Sequence, residues 1–285
     1  MRYGLYMPNF GPFGDPKALI ALAQEAEVAG WDGFFIWDHV NRDSSAGPVA
    51  DPWVALAGVA ATTQRIRLGA MVTPLPRRRP WKVARETVTL DHLSNGRLIF
   101  GAGIGSGRTM EWDDFGERLE PKVRAAMLDE GLDVLAGLWT GAPFSYDGGY
   151  YFVDDVHFIP PPLQQPRIPV WIGGEWPAQA PMRRAARWDG AFPLFHAAGD
   201  DPVEILSAFK DCVAFLRTER ADNEPFDITH LMRTPGDDPA RAAEMAAPFI
   251  AGGATWLLES VSLDRFGDAG FAGARERVIQ GPPKA

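Results

Sequence analysis

The order in which strand-like and helix-like runs alternate constrains this chain more than any single motif. YGLYMP reads as a strand, and DPKALIALAQEAEVAG as a helix closed by Gly30. FFIW is a second strand and DPWVALAGVAATT a second helix, with Asp51 suited to the N-cap and Pro52 to the first helical position. IRLGAMVT and PWKVARETVTLDHLS make a third unit, and RLIFGAG with PKVRAAMLDEGLDVLAGLW a fourth. The rhythm breaks over 140–169, where SYDGGYYF and three consecutive prolines predict a small hairpin followed by an extended excursion. It resumes with PVWIGG and PMRRAARW, DGAFPLF and DPVEILSAFKDCVAFLRTER, FDITHLMR and DPARAAEMAAPFI, and GATWLLES with GARERVIQG.

Eight strand-then-helix units predict an α/β fold, a (β/α)8 TIM barrel, as one domain over 1–285 with an insertion at about 140–169. An open doubly wound sheet explains the local pattern equally well. The count of units without a mid-chain boundary favours the closed barrel. In such barrels chemistry sits at the C-terminal ends of the strands. That points to Pro8 and Asn9, Asp38 and His39, the stretch from Met71 to Thr73, the glycines from Gly103 to Gly107, the turn from Gly173 to Trp176, and Phe195 with His196.

Bulk properties exclude several classes. A formal charge of -9 lacks the concentrated basic face of a nucleic-acid binder. The one basic run, Arg77 to Arg79, suits a solvated loop, a salt-bridge site or a contact to an anionic ligand. Cys212 is the single cysteine, so no intrachain disulfide forms, and the chain suits a reducing compartment. No stretch is apolar for long enough to predict a signal peptide or a membrane span, and the expectation is a cytoplasmic protein.

The tempting motifs are weak. GAGIGSG places Ser106 where a dinucleotide fingerprint needs its third glycine. It reads either as a flexible loop or as a backbone that lets a flat or anionic ligand approach. WIGGEWP reads as a turn or as amides for a phosphate, with the Glu175 charge against the latter unless its carboxylate faces away. Asp38, His39 and His196 are the only conceivable metal set, and neighbours on a strand point to opposite faces, so no metal is predicted. What remains is a glycine-lined, aromatic-rich mouth with histidines, suited to a flat cofactor.

The segments GLYMPNFG, AEVAGWDGFFIWDH, DPWVALAGVAATTQRIRLGAMVTPLPRRRPWKVARETVTLDHLSNGRLIFGAGIG and PRIPVWIGG together resemble the bacterial-luciferase-like family of flavin- and deazaflavin-dependent monooxygenases and oxidoreductases. The likeness runs from Tyr3 to about Ala191. It implies reduced FMN or an 8-hydroxy-5-deazaflavin coenzyme across the barrel mouth, with the choice between them open. It implies a monooxygenase or oxidoreductase acting on a small organic substrate. The alternatives are a deazaflavin-dependent hydride-transfer reductase or dehydrogenase, and a non-catalytic flavin-binding protein. By the same likeness a non-prolyl cis peptide lies around Ala70–Met71, with Thr73 near the ring system. Gly103, Gly105, Gly173, Gly174, Glu175 and Trp176 match segments that hold the cofactor tail and phosphate. His39 is expected to face the cofactor as proton-transfer residue, with Asp38 holding a backbone or ring nitrogen. The 140–169 segment becomes the candidate lid or wall, through Tyr146, Tyr150, Tyr151 and Phe152, and the Arg77 to Arg79 loop a candidate contact for an acidic coenzyme tail. A homodimer and a separate flavin reductase complete the implied partners; nucleic acid and membrane do not figure among them.

Overall fold

A computed structural model describes residues 1–107, 109–117, 120–220 and 224–283. Its parallel strands are β1 (Arg2–Met7), β2 (Gly33–Ile36), β3 (Arg67–Ala70), β4 (Thr73–Pro74) and β5 (Phe100–Gly103), then, after the two strands of a hairpin, β8 (Val170–Glu175), β9 (Gly190–Leu194), β10 (Asp227–Met232) and β11 (Trp256–Ser260). They run in the order β3-β2-β1-β11-β10-β9-β8-β5-β4. The row closes because Leu68 on β3 bridges Leu98, whose neighbour Ile99 donates its N–H to Leu68 O at 2.9 Å. β3 and β4 are thus two parts of the third barrel strand, and the eight-unit expectation holds.

The helices are α1 (Pro16–Ala29), α2 (Pro52–Thr62), α3 (Pro80–Leu93), α4 (Pro121–Trp139), α5 (Gln179–Ala185), α6 (Pro202–Glu219), α7 (Pro239–Gly252) and α8 (Gly270–Ile279). Four of them start on the same dipeptide. Asp15, Asp51, Asp201 and Asp238 each precede a proline, and each accepts a backbone N–H of the first turn, from Lys17, Val54, Val203 and Arg241 respectively. A cap of this kind contributes about 1 kcal/mol, and proline at the first position sacrifices an N–H that had no partner.

Adjacent residues split between two cores. On β2, Phe34 and Ile36 join the large layer between strands and helices, whereas Phe35 points into the barrel. There it meets Trp171 and Trp256 at ring distances of 5.5 and 5.7 Å, with Met71, Ile99, Phe192 and Leu258 completing the plug. Each such side chain contributes roughly 1.5–3 kcal/mol by leaving water. The barrel is therefore filled below its mouth.

The 140–169 segment forms the predicted hairpin, β6 (Pro143–Asp147) against β7 (Phe152–His157). The expectation was a lid or wall, and the segment forms no lid. Emerging from the C-terminal end of α4, it is strapped to the helix layer: the Glu130 carboxylate accepts the N–H groups of Gly149, Tyr150 and Tyr151. The return is held by Asp91 of α3, which accepts from Leu163 N, Gln164 N and Gln164 Nε2. Connections from helix to strand lie at the opposite end from the strand C-termini, and that keeps most of this segment away from the mouth.

Candidate functional site

Strand alternation decides what Asp38 and His39 do. With Phe35 and Trp37 on the barrel side, His39 follows them to the mouth, and Asp38 turns with Phe34 and Ile36 toward the helix layer. His39 is pinned through its backbone: its N–H donates to Asn9 Oδ1 at 3.2 Å, and its carbonyl accepts from Asn9 Nδ2 at 2.8 Å. Its ring packs edge-on against Phe10 and Trp37, both at 5.7 Å.

The acid that holds the His39 ring is Glu111, not Asp38. Glu111 Oε2 lies 3.0 Å from His39 Nδ1 and accepts from Ser106 Oγ at 3.2 Å. Its other oxygen accepts from Val40 N at 3.0 Å and from Arg77 Nη1 at 3.1 Å. Burial works against this charge, but the His39 hydrogen bond, the charges of His39 and Arg77, and the Val40 N–H together bring the carboxyl down to about 2. An ionised carboxylate only accepts, so Nδ1 is the nitrogen that donates to it, and Nε2 is the one left to exchange a proton.

Asp38 serves the same network from behind. Its carboxylate accepts from Arg77 Nη2 at 3.2 Å and from Arg78 Nη2 at 2.9 and 3.0 Å. Arg77 Nη2 also donates to the Asp38 carbonyl at 2.8 Å. Two arginines and two carboxylates thus tie the end of β2 to the loops that follow β4 and β5. The expectation that Asp38 holds a backbone or ring nitrogen is corrected accordingly: its carboxylate holds two guanidinium groups.

The third strand breaks one residue later than expected. Met71 N still donates to Ile36 O at 2.8 Å, so the ladder runs through Ala70 and Met71, and the cis bond is Met71–Val72. Ala70 packs toward the helices and Met71 into the barrel plug. Val72, inside the Met71–Thr73 stretch but not singled out from the sequence, is the residue aimed at the mouth. A Cβ placed on Gly103 or Gly173 would come within 2.7 Å of its methyl groups, so both glycines are needed to seat it. Thr73 is fully buried, and its Oγ1 has no partner among the described residues. Thr73 pairs with Ala102 of the strand–helix layer, so the surface offered to a flat ring at the mouth is Val72 between Gly103 and Gly173. These residues fit a flavin-like group.

The glycine loop after β5 is held rather than loose. Arg124 Nη1 donates to the carbonyls of Ile104 and Ser106, and Trp112 Nε1 also donates to Ser106 O. Gly105 has φ +80, and a Cβ there would meet Trp112 at 2.8 Å.

The turn after β8 answers its expectation in part. Gly173 and Gly174 sit half-buried at the mouth, and the Glu175 carboxylate lies 2.7 Å from His196 Nδ1 and near enough to the Tyr6 phenol for its charge to act there. The Trp176 ring instead packs on Phe215 of α6 at 5.5 Å. A turn, closed by Ala178 N donating to Glu175 O, separates the glycines from the seven-residue α5. His196 is thereby directed to Glu175 and not to Asp38 and His39. Among the described residues no group of three histidine, cysteine or acidic side chains is arranged to hold a metal, and no helix is long and apolar enough to cross a membrane.

Beside His39 lies a cavity of about 350 Å³, walled by Phe10, Trp37 and Leu263, with Arg42, Ser262 and Asp264 at its polar edge. Tyr6 lies behind this wall, in ring contact with Trp37 and Phe192 at 5.4 and 5.3 Å, and burial followed by the Glu175 charge raises its phenol, keeping it protonated.

Residues 1–281 match the luciferase-like monooxygenase family. An F420-dependent glucose-6-phosphate dehydrogenase of Nakamurella multipartita is 34% identical over 187 residues, 62% of this chain and 52% of that one, so the chain spans about half the length of that relative. An F420-dependent secondary alcohol dehydrogenase, solved with an F420-acetone adduct, superposes with a TM-score of 0.74 at 18% identity, covering 97% of this chain and 98% of that one. The FMN-bound oxygenating constituent of 3,6-diketocamphane monooxygenase from Pseudomonas putida gives 0.73 at 18%, covering 98% and 96%. At such identities these two structures bear on fold alone.

Proposed function

The chain belongs to the luciferase-like monooxygenase family of flavin- and deazaflavin-dependent oxidoreductases, and from that premise we propose that it moves a hydride between a deazaflavin coenzyme and a small alcohol or carbonyl compound. The observation that carries this reading is the His39–Glu111 pair, fixed by Arg77 at the edge of an aromatic cavity. The F420-dependent dehydrogenase among its relatives supports the choice of coenzyme.

When bound on Val72, the coenzyme supplies or accepts the hydride. The chain supplies everything else. Val72, seated by Gly103 and Gly173, offers an apolar face to the ring. Gly105, Gly173 and Gly174 leave room for the rest of the cofactor to approach the backbone. Phe10, Trp37 and Leu263 hold the carbon skeleton of the substrate and exclude water. His39 Nε2 takes the hydroxyl proton as an alcohol becomes a carbonyl, and returns it in the reverse direction. Glu111 keeps the ring in the tautomer that makes this possible and stabilises it once protonated.

The test is an absorbance titration of the protein with the deazaflavin coenzyme and with FMN, followed by anaerobic turnover on a panel of small alcohols and ketones. The expected result is saturable binding of the deazaflavin and coenzyme reduction by an alcohol without oxygen. Tight binding of FMN alone, with oxygen consumed by the reduced enzyme, would instead establish a monooxygenase and overturn the proposal.

A further inference from the structure

One wall of the cavity beside His39 hangs from a charge buried in the helix layer. β11 alternates: Trp256 and Leu258 enter the barrel plug, Leu257 joins the helix layer, and Glu259 follows Leu257. Glu259 is only 3% exposed. Its Oε1 accepts from Thr234 N at 2.9 Å and from Arg265 Nη1. Its Oε2 accepts from Thr234 Oγ1 at 2.6 Å and faces Arg277 Nη2 at 3.3 Å.

The two arginines serve different ends. Arg277 belongs to α8, is itself buried, and donates through Nη2 to Thr234 Oγ1 at 2.9 Å and through Nε to Thr234 O at 3.2 Å. With Thr234 it already neutralises and satisfies Glu259, so the barrel needs no second cation there. Arg265 is that second cation. It comes from the loop that follows β11, and besides Glu259 it donates to Ser260 O at 2.9 Å and to Thr234 O. One guanidinium thus gathers the end of β11, the segment after β10 and the loop itself. Arg265 closes the single turn Leu263–Arg265, whose first residue walls the cavity. Leu263 in turn lies against Gly11, where an added Cβ would sit 3.6 Å from its Cδ1.

A second latch holds the same loop from outside. Arg233 Nη2 reaches Asp264 Oδ2 at 2.7 Å and Ser262 Oγ at 3.3 Å, but both side chains of that ion pair are more than half exposed. Water and salt weaken such a pair, whereas the buried one is screened little. We infer that Arg265 is a positioning residue: anchored on Glu259 and Thr234, it fixes Leu263 as the wall of the cavity beside His39. That this wall meets an alcohol or carbonyl substrate rests on the hydride-transfer reading; the anchoring does not.

Arg265→Gln tests this, with Arg233→Gln as the control that removes the same charge from the outer latch. Glu259 keeps Thr234 and Arg277 in the first, so both variants fold, as their circular dichroism will verify. Each is placed in a Leu263→Cys background and treated, without coenzyme or substrate, with a neutral dipyridyl disulfide. Cys212 is fully buried and its thiol is pushed up to about 12, so the parent chain supplies the blank. Arg265→Gln is expected to speed reaction of the introduced thiol at least about fivefold, and Arg233→Gln less than about twofold. In turnover, Arg265→Gln should raise KM for the alcohol at least about fivefold, with kcat within about twofold and coenzyme Kd unchanged. Added to Leu263→Ala it should change KM by less than about twofold, because the residue through which it acts is gone. The inference falls if the thiol reacts at the same rate with and without Arg265, if Arg233→Gln matches Arg265→Gln, if KM stays at the parent value, or if the KM effects of Arg265→Gln and Leu263→Ala simply add. A parent that turns over no alcohol overturns the hydride-transfer reading alone, and the thiol rates still decide the anchor.

Discussion

His230 supplies a prediction whose size follows from its surroundings. It lies on β10, facing the helix layer, and its ring stacks on Phe249 at 3.8 Å and 13° with Phe209 and Phe195 at 5.3 and 5.8 Å. Nδ1 has no partner among the described residues. Burial alone pushes its pKa from the ordinary 6.5 down to about 3. A base held neutral in the folded state takes up its proton first in the unfolded chain. Stability is therefore complete above pH 6.5 and declines as pH falls from 6.5 toward 3. The slope is about 1.4 kcal/mol per pH unit, so roughly 2 kcal/mol is lost at about pH 5 and roughly 5 kcal/mol over the whole interval. His230→Phe preserves the stack and the volume but removes the titration. Urea unfolding of parent and variant between about pH 7.5 and pH 5 gives the difference directly, because every other titrating group cancels. The variant should gain roughly 2 kcal/mol on the parent across that range. A difference that stays flat with pH would refute the claim that His230 is kept neutral. The result also bounds the enzymology, since an acid limb below about pH 5 reports unfolding as well as the state of the His39–Glu111 pair.

Other outcomes can be checked against the site itself. His39→Ala should lower kcat by about 10²–10⁴ with coenzyme affinity retained, and equal loss of binding would argue for packing in place of proton transfer. Glu111→Gln should cost at least roughly tenfold in kcat and flatten the pH profile, because the amide no longer demands a proton on Nδ1. Gly173→Ala brings a methyl within 2.7 Å of Val72 and should weaken flavin or deazaflavin binding by about 1–3 kcal/mol; an unchanged Kd would remove Val72 from the ring's bed. Light scattering is expected to give twice the 31.2 kDa of the chain, the homodimer of the resemblance; a mass of one chain would exclude it.

Much of the barrel was legible because its signals are local. Four Asp-Pro dipeptides cap four helices, and adjacent Phe34 and Phe35 serve two different cores, both consequences of short-range geometry. His39 was legible for the same reason, as the polar end of a buried strand. Glu111 was not. It reaches His39 across 72 positions of sequence, from a loop whose acids carry no spacing signal. The period-two alternation that sends Asp38 away from the mouth was present in FFIWDHV, yet adjacency made the two residues look like partners. Val72 was not singled out within the Met71–Thr73 stretch because one further residue of β3 pairing moves the break past Met71, a register set by Ile36 on the neighbouring strand. The hairpin was foreseen as an element, but whether it was lid or wall was not legible, because only the Glu130 and Asp91 contacts reveal which side of the barrel it covers.

The tie between Asp38, Glu111, Arg77 and Arg78 has a consequence for anyone moving this site. Its charges cancel in pairs within a largely buried space, so losing one member strands its counterpart at about 3–5 kcal/mol. A histidine grafted alone onto another barrel strand would lack the anion that sets its tautomer, and a histidine with its glutamate would bring an unbalanced charge. The smallest transplantable unit is therefore five side chains drawn from three separate loops, and drift at any one of them must be answered at another.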